Sequence, residues 1–246
     1  MDLGIAGRTA AVAAASGGLG LASARALAAD GVRVAICGRH QDRLDDALAS
    51  LPPVDAGPHV ALVADVSQPA GASGFVVDAA QALGAPPDIL VTNAGGPPPG
   101  TFSSTPLEAY PDALALNLLS VVAMCQAAVP AMREQRWGRV VAITSMSVKQ
   151  PIGTLILSNT ARAGATGFLK TLATEVVADG VTVNSVLPGL HATDRLLNLY
   201  GGDTGNLTVG DPADFGNVVA FVCSEHARFI TGSAIPVDGG TYPGLL

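Results

Sequence analysis

The chain has 246 residues, of which 49% are hydrophobic and only 13% are charged, and its net charge is −7. This length suits a single α/β domain, and an acidic chain with only 13 Lys and Arg residues argues against nucleic-acid binding. The three scattered cysteines and a start without a cationic, apolar leader predict a reduced, cytoplasmic protein.

Short β-branched or aliphatic runs alternate with Ala- and Leu-rich stretches along the whole chain, a pattern typical of successive βαβ units around a parallel sheet. The predicted strands are Thr9–Ala14, Val32–Gly38, His59–Ala64, Ile89–Thr92, Arg139–Ile143, Val181–Leu187 and Ala234–Val237. The predicted helices are Leu19–Ala29, Gln41–Leu51, Gly71–Leu83, Leu107–Met132, Ser158–Asp179 and Asp211–Ser224. Seven strands with helices between them predict one α/β domain over residues 1–246.

A glycine-rich turn, "AAASGGLG", follows the first predicted strand and leads directly into a helix. Backbone N–H groups at a helix start attract phosphate, and glycine allows the main chain to approach it closely. The turn therefore predicts a dinucleotide site with four contacting residues: Ser16, Gly18, Leu19 and Gly20.

The second predicted strand ends in "AICGRH". A carboxylate at this position would bond the ribose 2′-hydroxyl of NAD, whereas an arginine accommodates the 2′-phosphate of NADP. Here the acid is replaced by Gly38, and Arg39 follows it, which favours NADP(H). The alternative is that Arg39 is a solvated surface cation.

Three further segments depart from ordinary strand and helix patterns. The apolar stretch Ala113–Met132 approaches the length of a membrane span, but it contains Asn117 and Pro130 and has no basic flank at its start, so it predicts a buried helix. The "GGPPPG" stretch, Gly95–Gly100, predicts a stiff loop. The Gly-rich region 189–210 has little periodicity and predicts a flexible flap over a substrate site.

Several motifs in a fixed order resemble those of the short-chain dehydrogenase/reductase family over nearly the whole chain, and most closely its 3-oxoacyl-acyl-carrier-protein reductase-like members. The motifs are the glycine turn, "AD" before Val66, "TNAGG", "ALNLLS", "ITS", "NSVLPG" and "ITGSAIPVDGG". The resemblance implies a doubly wound Rossmann fold with a seven-stranded parallel sheet. It also departs from the family at one point, because Ala13 and Ala14 replace the "TG" that usually opens the turn.

The resemblance also implies the remaining cofactor contacts. Asp65 and Val66 would hold the adenine, and the "NAG" residues Asn93, Ala94 and Gly95 would line the ribose. Pro188 and Gly189 would lie against the nicotinamide, with Thr193 near its carboxamide.

The catalytic positions implied by the resemblance combine matches with two replacements. Ser145 matches the serine that orients the carbonyl, and Asn117 matches the asparagine that supports a proton-relay water. The family's Tyr and Lys positions fall on Ser158 and Arg162, in a register set by the downstream "GFLKTLATEV". The Tyr and Lys are therefore replaced, not shifted.

The two replacements differ in their chemical consequences. Arg162 keeps a positive charge that can bind ribose hydroxyls and stabilise an oxyanion, but it does not transfer protons. The alkyl hydroxyl of Ser158 is a much weaker acid than a phenol. Lys149, four residues after Ser145, is the alternative proton donor, or else a solvated loop lysine.

These observations predict an NADP(H)-dependent reductase of a small-molecule carbonyl compound with an atypical Ser-Ser-Arg site and no metal. Two alternatives stay open: a non-redox enzyme on the same scaffold, as in the related halohydrin dehalogenases, and a catalytically silent dinucleotide-binding protein. The family also pairs the helices Leu107–Met132 and Ser158–Asp179 across a two-fold axis. The chain is therefore expected to form a homotetramer or homodimer, with no membrane or nucleic-acid partner.

Overall fold

The computed structural model describes residues 1–199, 205 and 207–245, and a parallel β-sheet lies at the centre of this part of the chain. The sheet has seven strands in the order β3-β2-β1-β4-β5-β6-β7, with every neighbouring pair parallel. The strands are β1 (Thr9–Val12), β2 (Arg33–Gly38), β3 (Val60–Val63), β4 (Ile89–Thr92), β5 (Gly138–Ile143), β6 (Val181–Pro188) and β7 (Ala234–Val237). The order reverses between β1 and β4, so the sheet is doubly wound, which confirms the predicted Rossmann fold.

Helices cover both faces of this sheet. The helices are α1 (Gly18–Ala29), α2 (Gln41–Ala49), α3 (Pro69–Leu83), α4 (Tyr110–Leu114), α5 (Ser120–Glu134), α6 (Ile156–Val176), α7 (Asp194–Leu199) and α8 (Pro212–Cys223). One core layer packs α1, α2 and α8 on the sheet, and the other packs α3, α5 and α6. Strands β4 and β5 are buried along their whole length, and apart from Thr92 and Arg139 their residues are apolar or glycine.

The long apolar helix runs from Leu107 to Glu134 and changes pitch within its length. A 3₁₀ turn (Leu107–Ala109) precedes α4, and a π segment (Ala115–Leu119) joins α4 to α5. Length and composition alone would suit a membrane span, but half of its most apolar window is buried inside the protein. It packs against α3, α6, β4 and β5, as a core helix does.

Several predicted boundaries need correction. The first strand was expected to reach Ala14 but ends at Val12, because Ala14 has φ = 48° and left-handed backbone cannot continue a strand. The helix expected over Ser158–Asp179 begins at Ile156, and its α-helical part ends at Val176, where a 3₁₀ turn takes over.

The predicted flap, residues 189–210, contains regular structure that its sequence pattern did not indicate. Helix α7 forms inside it, and backbone hydrogen bonds join its two ends, from Ala192 N to the Gly210 oxygen and from Gly210 N to the Leu190 oxygen. Residues 200–204 and 206 lie outside the described residues. The mobility of the flap stays a prediction.

All three cysteines are buried and unpaired: Cys37 on β2, Cys125 on α5 and Cys223 at the end of α8. Burial raises the pKa of each thiol to about 12. The thiols are therefore protonated at neutral pH, which makes them poor nucleophiles.

Candidate active site

The predicted site residues come from segments that leave the sheet at one edge. The carboxyl ends of parallel strands share an edge, so the loops after β1, β4, β5 and β6 converge there. These loops carry the glycine turn, the "NAG" residues, Ser145 and Gly189. The fold therefore gathers the predicted cofactor and catalytic residues around one cleft.

The glycine turn is shaped by close backbone packing at the start of α1. Helix α1 begins at Gly18, which has φ = 56°, and its first turn contains no acidic side chain. A Cβ at Gly20 would lie 2.6 Å from the Ala14 carbonyl oxygen and 2.8 Å from Asn93 Nδ2. Only glycine fits at this position, and the N–H groups at the helix start are left without a competing carboxylate.

The carboxyl end of β2 brings Ser16, Gly38 and Arg39 together. A Cβ at Gly38 would lie 2.9 Å from Ser16 Oγ, so the glycine lets the two turns touch. Arg39 is exposed, and its charge acts on Asp65. A hydrogen bond from Ser67 N lowers the pKa of Asp65, and the Arg39 charge lowers it further. Val66, the next residue, is buried in the core.

Two asparagine side chains hold the loop that follows β4. Asn93 Nδ2 donates to the Ala14 carbonyl oxygen at 3.2 Å, and Asn117 Nδ2 donates to the Gly95 carbonyl oxygen at 2.8 Å. Asn117 is 3% exposed and lies in the π segment, and its Oδ1 has no hydrogen-bond partner within the described part of the chain. A buried acceptor of this kind suits a bound water or another donor.

Ser158 and Arg162 form a pair one helical turn apart on α6. Arg162 Nε donates to Ser158 Oγ at 3.2 Å, and Arg162 Nη1 donates to the Ile143 carbonyl oxygen at 3.1 Å. Burial is the main cause that lowers the pKa of Arg162 to about 10. The positive charge of Arg195 contributes less, in the same direction. The guanidinium is therefore still charged at neutral pH, and it is fixed against the carboxyl end of β5.

Ser145 lies two residues after the end of β5, with Thr144 between, and it caps the start of a 3₁₀ turn. Its Oγ accepts a hydrogen bond from Ser147 N at 3.1 Å, and its backbone is extended. The hydroxyl hydrogen is therefore free to donate to another acceptor.

Lys149 lies at the end of the same turn and is partly buried. Its Nζ is 5.6 Å from the centre of the Tyr242 ring, a cation–π arrangement. Asn159, in contrast, is occupied locally, because its Nδ2 donates to the Ile152 carbonyl oxygen at 2.8 Å. Sequence reasoning did not place Tyr242 at this edge, since 93 residues separate it from Lys149.

The end of β6 and the segment after it form the opposite side of the cleft. A Cβ at Gly189, which follows Pro188, would lie 2.7 Å from Asp238 Cα, so only glycine fits against the turn after β7. The Thr193 methyl lies 3.7 Å from the Cβ position of Gly18. This contact brings the chain after β6 back onto the glycine turn.

Arg195 is a site residue that sequence reasoning missed. Its guanidinium lies against Gly96, where a Cβ would come within 2.6 Å of Arg195 Cζ. The available signal was a cation two residues after Thr193, in a segment interpreted only as a flap.

The proline stretch borders an open cavity of about 300 Å³ beside the Ser158 helix. Pro97, Pro98 and Pro99 form one wall, and Leu157, the neighbour of Ser158, forms part of another. Most of the lining is apolar, so the cavity would admit a small organic group next to the cleft.

The cleft as a whole fits a dinucleotide. Glycines at 20, 38 and 189 let the protein's own segments pack closely around it, and the start of α1 presents N–H groups with no acidic side chain in the first turn. Among the described residues there is no cluster of three or more His, Cys, Asp or Glu side chains suited to a metal.

Comparison with known proteins agrees with this geometry. The model of the family described as enoyl-(acyl carrier protein) reductase matches residues 13–242. Nodulation protein G of Azospirillum brasilense is 35% identical over 93% of this chain and 96% of its own length. The 3-oxoacyl-acyl-carrier-protein reductase of Escherichia coli (strain K12) is 32% identical over 96% of this chain and 98% of its own. The L-sorbose reductase of Gluconobacter frateurii, solved with NADPH and L-sorbose, superposes with a TM-score of 0.90 at 31% identity, covering 100% of both chains.

Proposed function

Because the chain belongs to the short-chain dehydrogenase/reductase family, we propose that it is an NADP(H)-dependent reductase of a small carbonyl compound with an atypical Ser145–Ser158–Arg162 site. The observation that carries the proposal is the Arg162 guanidinium, anchored on Ser158 and on the carboxyl end of β5. Arg162 keeps a positive charge at the position where the family has lysine. Ser158, at the family's tyrosine position, does not supply a phenol.

The residues at the strand ends are assigned to the cofactor as follows. The turn Ser16, Gly18, Leu19 and Gly20 binds the diphosphate, and Arg39 binds the 2′-phosphate. Asp65 and Val66 border the adenine, and Asn93, Ala94 and Gly95 border the ribose. Pro188, Gly189 and Thr193 face the nicotinamide.

When bound, NADPH would supply the hydride for the carbonyl carbon, leaving NADP⁺, and the carbonyl oxygen would gain a proton. Ser145 orients the carbonyl through its free hydroxyl hydrogen. Arg162 stabilises the negative charge that develops on the oxygen, since a fixed cation in a partly buried site is effective there. Ser158 positions the guanidinium by accepting its Nε–H bond.

The proton comes from Lys149 or from a water held by Asn117. Arg162 is fixed by its bonds to Ser158 and the Ile143 oxygen and is assigned to hold charge, and Ser158 is an alkyl hydroxyl, so the proton is assigned to neither. The unpartnered Oδ1 of Asn117 supports a water at that position. The half-buried Lys149, in the turn that begins at Ser145, supports the first route.

One experiment separates this function from the alternatives. The protein is incubated with NADPH and a panel of ketones, and both nucleotide binding and NADPH oxidation are followed. Binding with oxidation supports the reductase. Substrate turnover that needs no nucleotide would instead indicate a non-redox enzyme, and binding without any turnover would indicate a silent dinucleotide-binding protein.

Two further expectations belong to this proposal. The protein acts as a homotetramer or homodimer, in keeping with its low content of charged residues. The cytoplasmic location expected from its cysteine content also stays a proposal.

A further inference from the structure

Arg195 places a second guanidinium against the loop after β4, close enough for its charge to act on Arg162. It is the second residue of α7, and its exposed side chain lays the guanidinium against Gly96, where a Cβ would require the arginine to shift. Gly96 directly follows Gly95, whose carbonyl oxygen is held by Asn117. Arg195 therefore faces the loop whose residues Asn93, Ala94 and Gly95 are proposed to border the ribose.

The two residues before Arg195 are directed elsewhere. Thr193 packs on Gly18, and Asp194 forms a 3.4 Å ion pair with Arg43, whose Nη2 lies 3.1 Å from the Cβ position of Gly17. The glycine turn, where the diphosphate is expected, is thus contacted by Thr193 and Arg43. Arg195 reaches away from that turn, toward the loop after β4.

The charges of Arg195 and Arg162 are uncompensated within the described part of the chain. No carboxylate there lies within 4 Å of either guanidinium, which is also true of the exposed Arg39 and Arg228, but Arg162 is partly buried, so water offsets its charge less. The Arg195 charge also lowers the pKa of Arg162, although burial is the larger cause. Two cations held near each other in a protein of net charge −7 repel, and an anion between them would relieve that repulsion.

We propose that Arg195, beside Arg162, binds an anionic group of the carbonyl substrate, so that the substrate class is oxo acids bearing a carboxylate. Guanidinium groups bind carboxylates through paired, charge-assisted hydrogen bonds. Ser145 then holds the carbonyl oxygen while Arg195 holds the carboxylate. This inference rests on the proposed reductase function for its substrate, but the anion site itself is testable without catalysis.

The kinetic test compares acids with their neutral esters. Acetoacetate is paired with ethyl acetoacetate, and pyruvate with ethyl pyruvate, for the wild type, Arg195→Gln, Arg195→Lys and the control Arg228→Gln. Arg228 is an exposed arginine in the segment after α8. Arg195→Gln should raise the KM of the acids by about tenfold or more, because a charge-assisted contact is lost, and should leave the esters and the Kd of NADPH within about twofold. Arg195→Lys should restore part of the loss.

The binding test uses malonate, a dicarboxylate that cannot be reduced. Calorimetric titration of the NADP⁺-loaded protein should detect malonate with the wild type and with Arg228→Gln, and a loss of about tenfold or more with Arg195→Gln. If malonate binds in this way and no ketone is reduced, the anion site stands and the reductase proposal fails. If malonate binds the wild type and Arg195→Gln equally well, or does not bind at all, the inference is wrong. It is also wrong if NADPH affinity falls with Arg195→Gln, because the anion would then be the cofactor diphosphate.

Discussion

Ala14 holds a left-handed backbone, with φ = 48°, at the position where the family turn has glycine. Left-handed geometry costs a residue with a Cβ roughly 1–2 kcal/mol, part of which the greater freedom of glycine in the unfolded chain cancels. Ala14→Gly should therefore stabilise the protein by about 1 kcal/mol in urea unfolding. Ala13→Gly, at a fully buried neighbour without this strain, should destabilise it. A loss of stability in Ala14→Gly would show that the turn carries no strain there.

Replacing the proposed catalytic side chains one at a time tests the proton assignment. Ser145→Ala should lose most reductase activity, and Lys149→Met should lose one to several powers of ten. Ser158→Ala should stay within roughly tenfold of the wild type, because its hydroxyl only positions Arg162. Steady-state ketone reduction measures all three. If Ser158→Ala loses all ketone reduction while Lys149→Met is unaffected, Ser158 is the direct proton donor.

A double variant extends that test. Ser158→Tyr with Arg162→Lys restores the family pair, so it should raise ketone reduction if the pocket admits the ring. Ser158 is only 7% exposed, so thermal unfolding of the variant must be measured beside its activity.

Arg39 decides between the two nicotinamide cofactors in our proposal. Arg39→Ala should weaken NADPH binding much more than NADH binding, because only NADPH carries the 2′-phosphate. Fluorescence titration with both nucleotides measures the ratio. Arg228→Ala, at an exposed arginine in the segment after α8, is a suitable control. Equal losses for both nucleotides would show that Arg39 is a solvated surface cation.

The amino-acid sequence indicated the positions of some site residues but not of others. Ser145, Asn117 and the glycine turn follow strands or occupy a helix at motif spacing, so the fold carries them to one edge. The contact of Arg195 with Gly96 spans 99 residues and depends on how the chain after β6 folds back. Neither periodicity nor spacing reports such a contact, and the same holds for Lys149 and Tyr242.

At the scale of elements, the packing of α1 on α8 positions the glycine turn. Gly216 on α8 meets the backbone of α1 directly, since a Cβ there would lie 2.7 Å from the Ala22 carbonyl carbon. Gly216→Ala should therefore destabilise the protein by about 1–3 kcal/mol and weaken NADPH binding as α1 shifts. Gly74→Ala, on α3 with open space around it, should stabilise by roughly 0.5–1 kcal/mol. Similar effects for both variants in urea unfolding would contradict this account.

Most helices and strands were predicted to within a few residues, because apolar runs and Gly-rich turns mark them. The π segment at Ala115–Leu119 was not predicted, since it has the same apolar composition as the α-helical turns around it. Its place coincides with Asn117, whose amide bonds Gly95 on another loop. A tertiary contact of this kind, and not local propensity, accompanies the change of pitch.

At the scale of the whole molecule, the alternation of strands and helices predicted a parallel sheet, and the family resemblance implied its doubly wound order. The register of the strands was not accessible in the same way. Buried central strands are apolar on both faces, so a shift by one residue leaves their sequence pattern unchanged.

Subunit association is the prediction that concerns the whole molecule. Leu119, 45% exposed, lies on the long helix that we expect to pair with its copy, and Gly164 of α6 lies beside its neighbour Leu118. Light scattering at micromolar concentration should give a dimer or tetramer, and Leu119→Glu should shift it to a smaller species, because burying a carboxylate in an apolar interface is costly. Val77→Glu is the matched control, because Val77 is 50% exposed and lies on α3, which is neither of the two helices. A wild-type monomer would end the proposal, and an oligomer unaffected by Leu119→Glu would mean that its interface lies on another face.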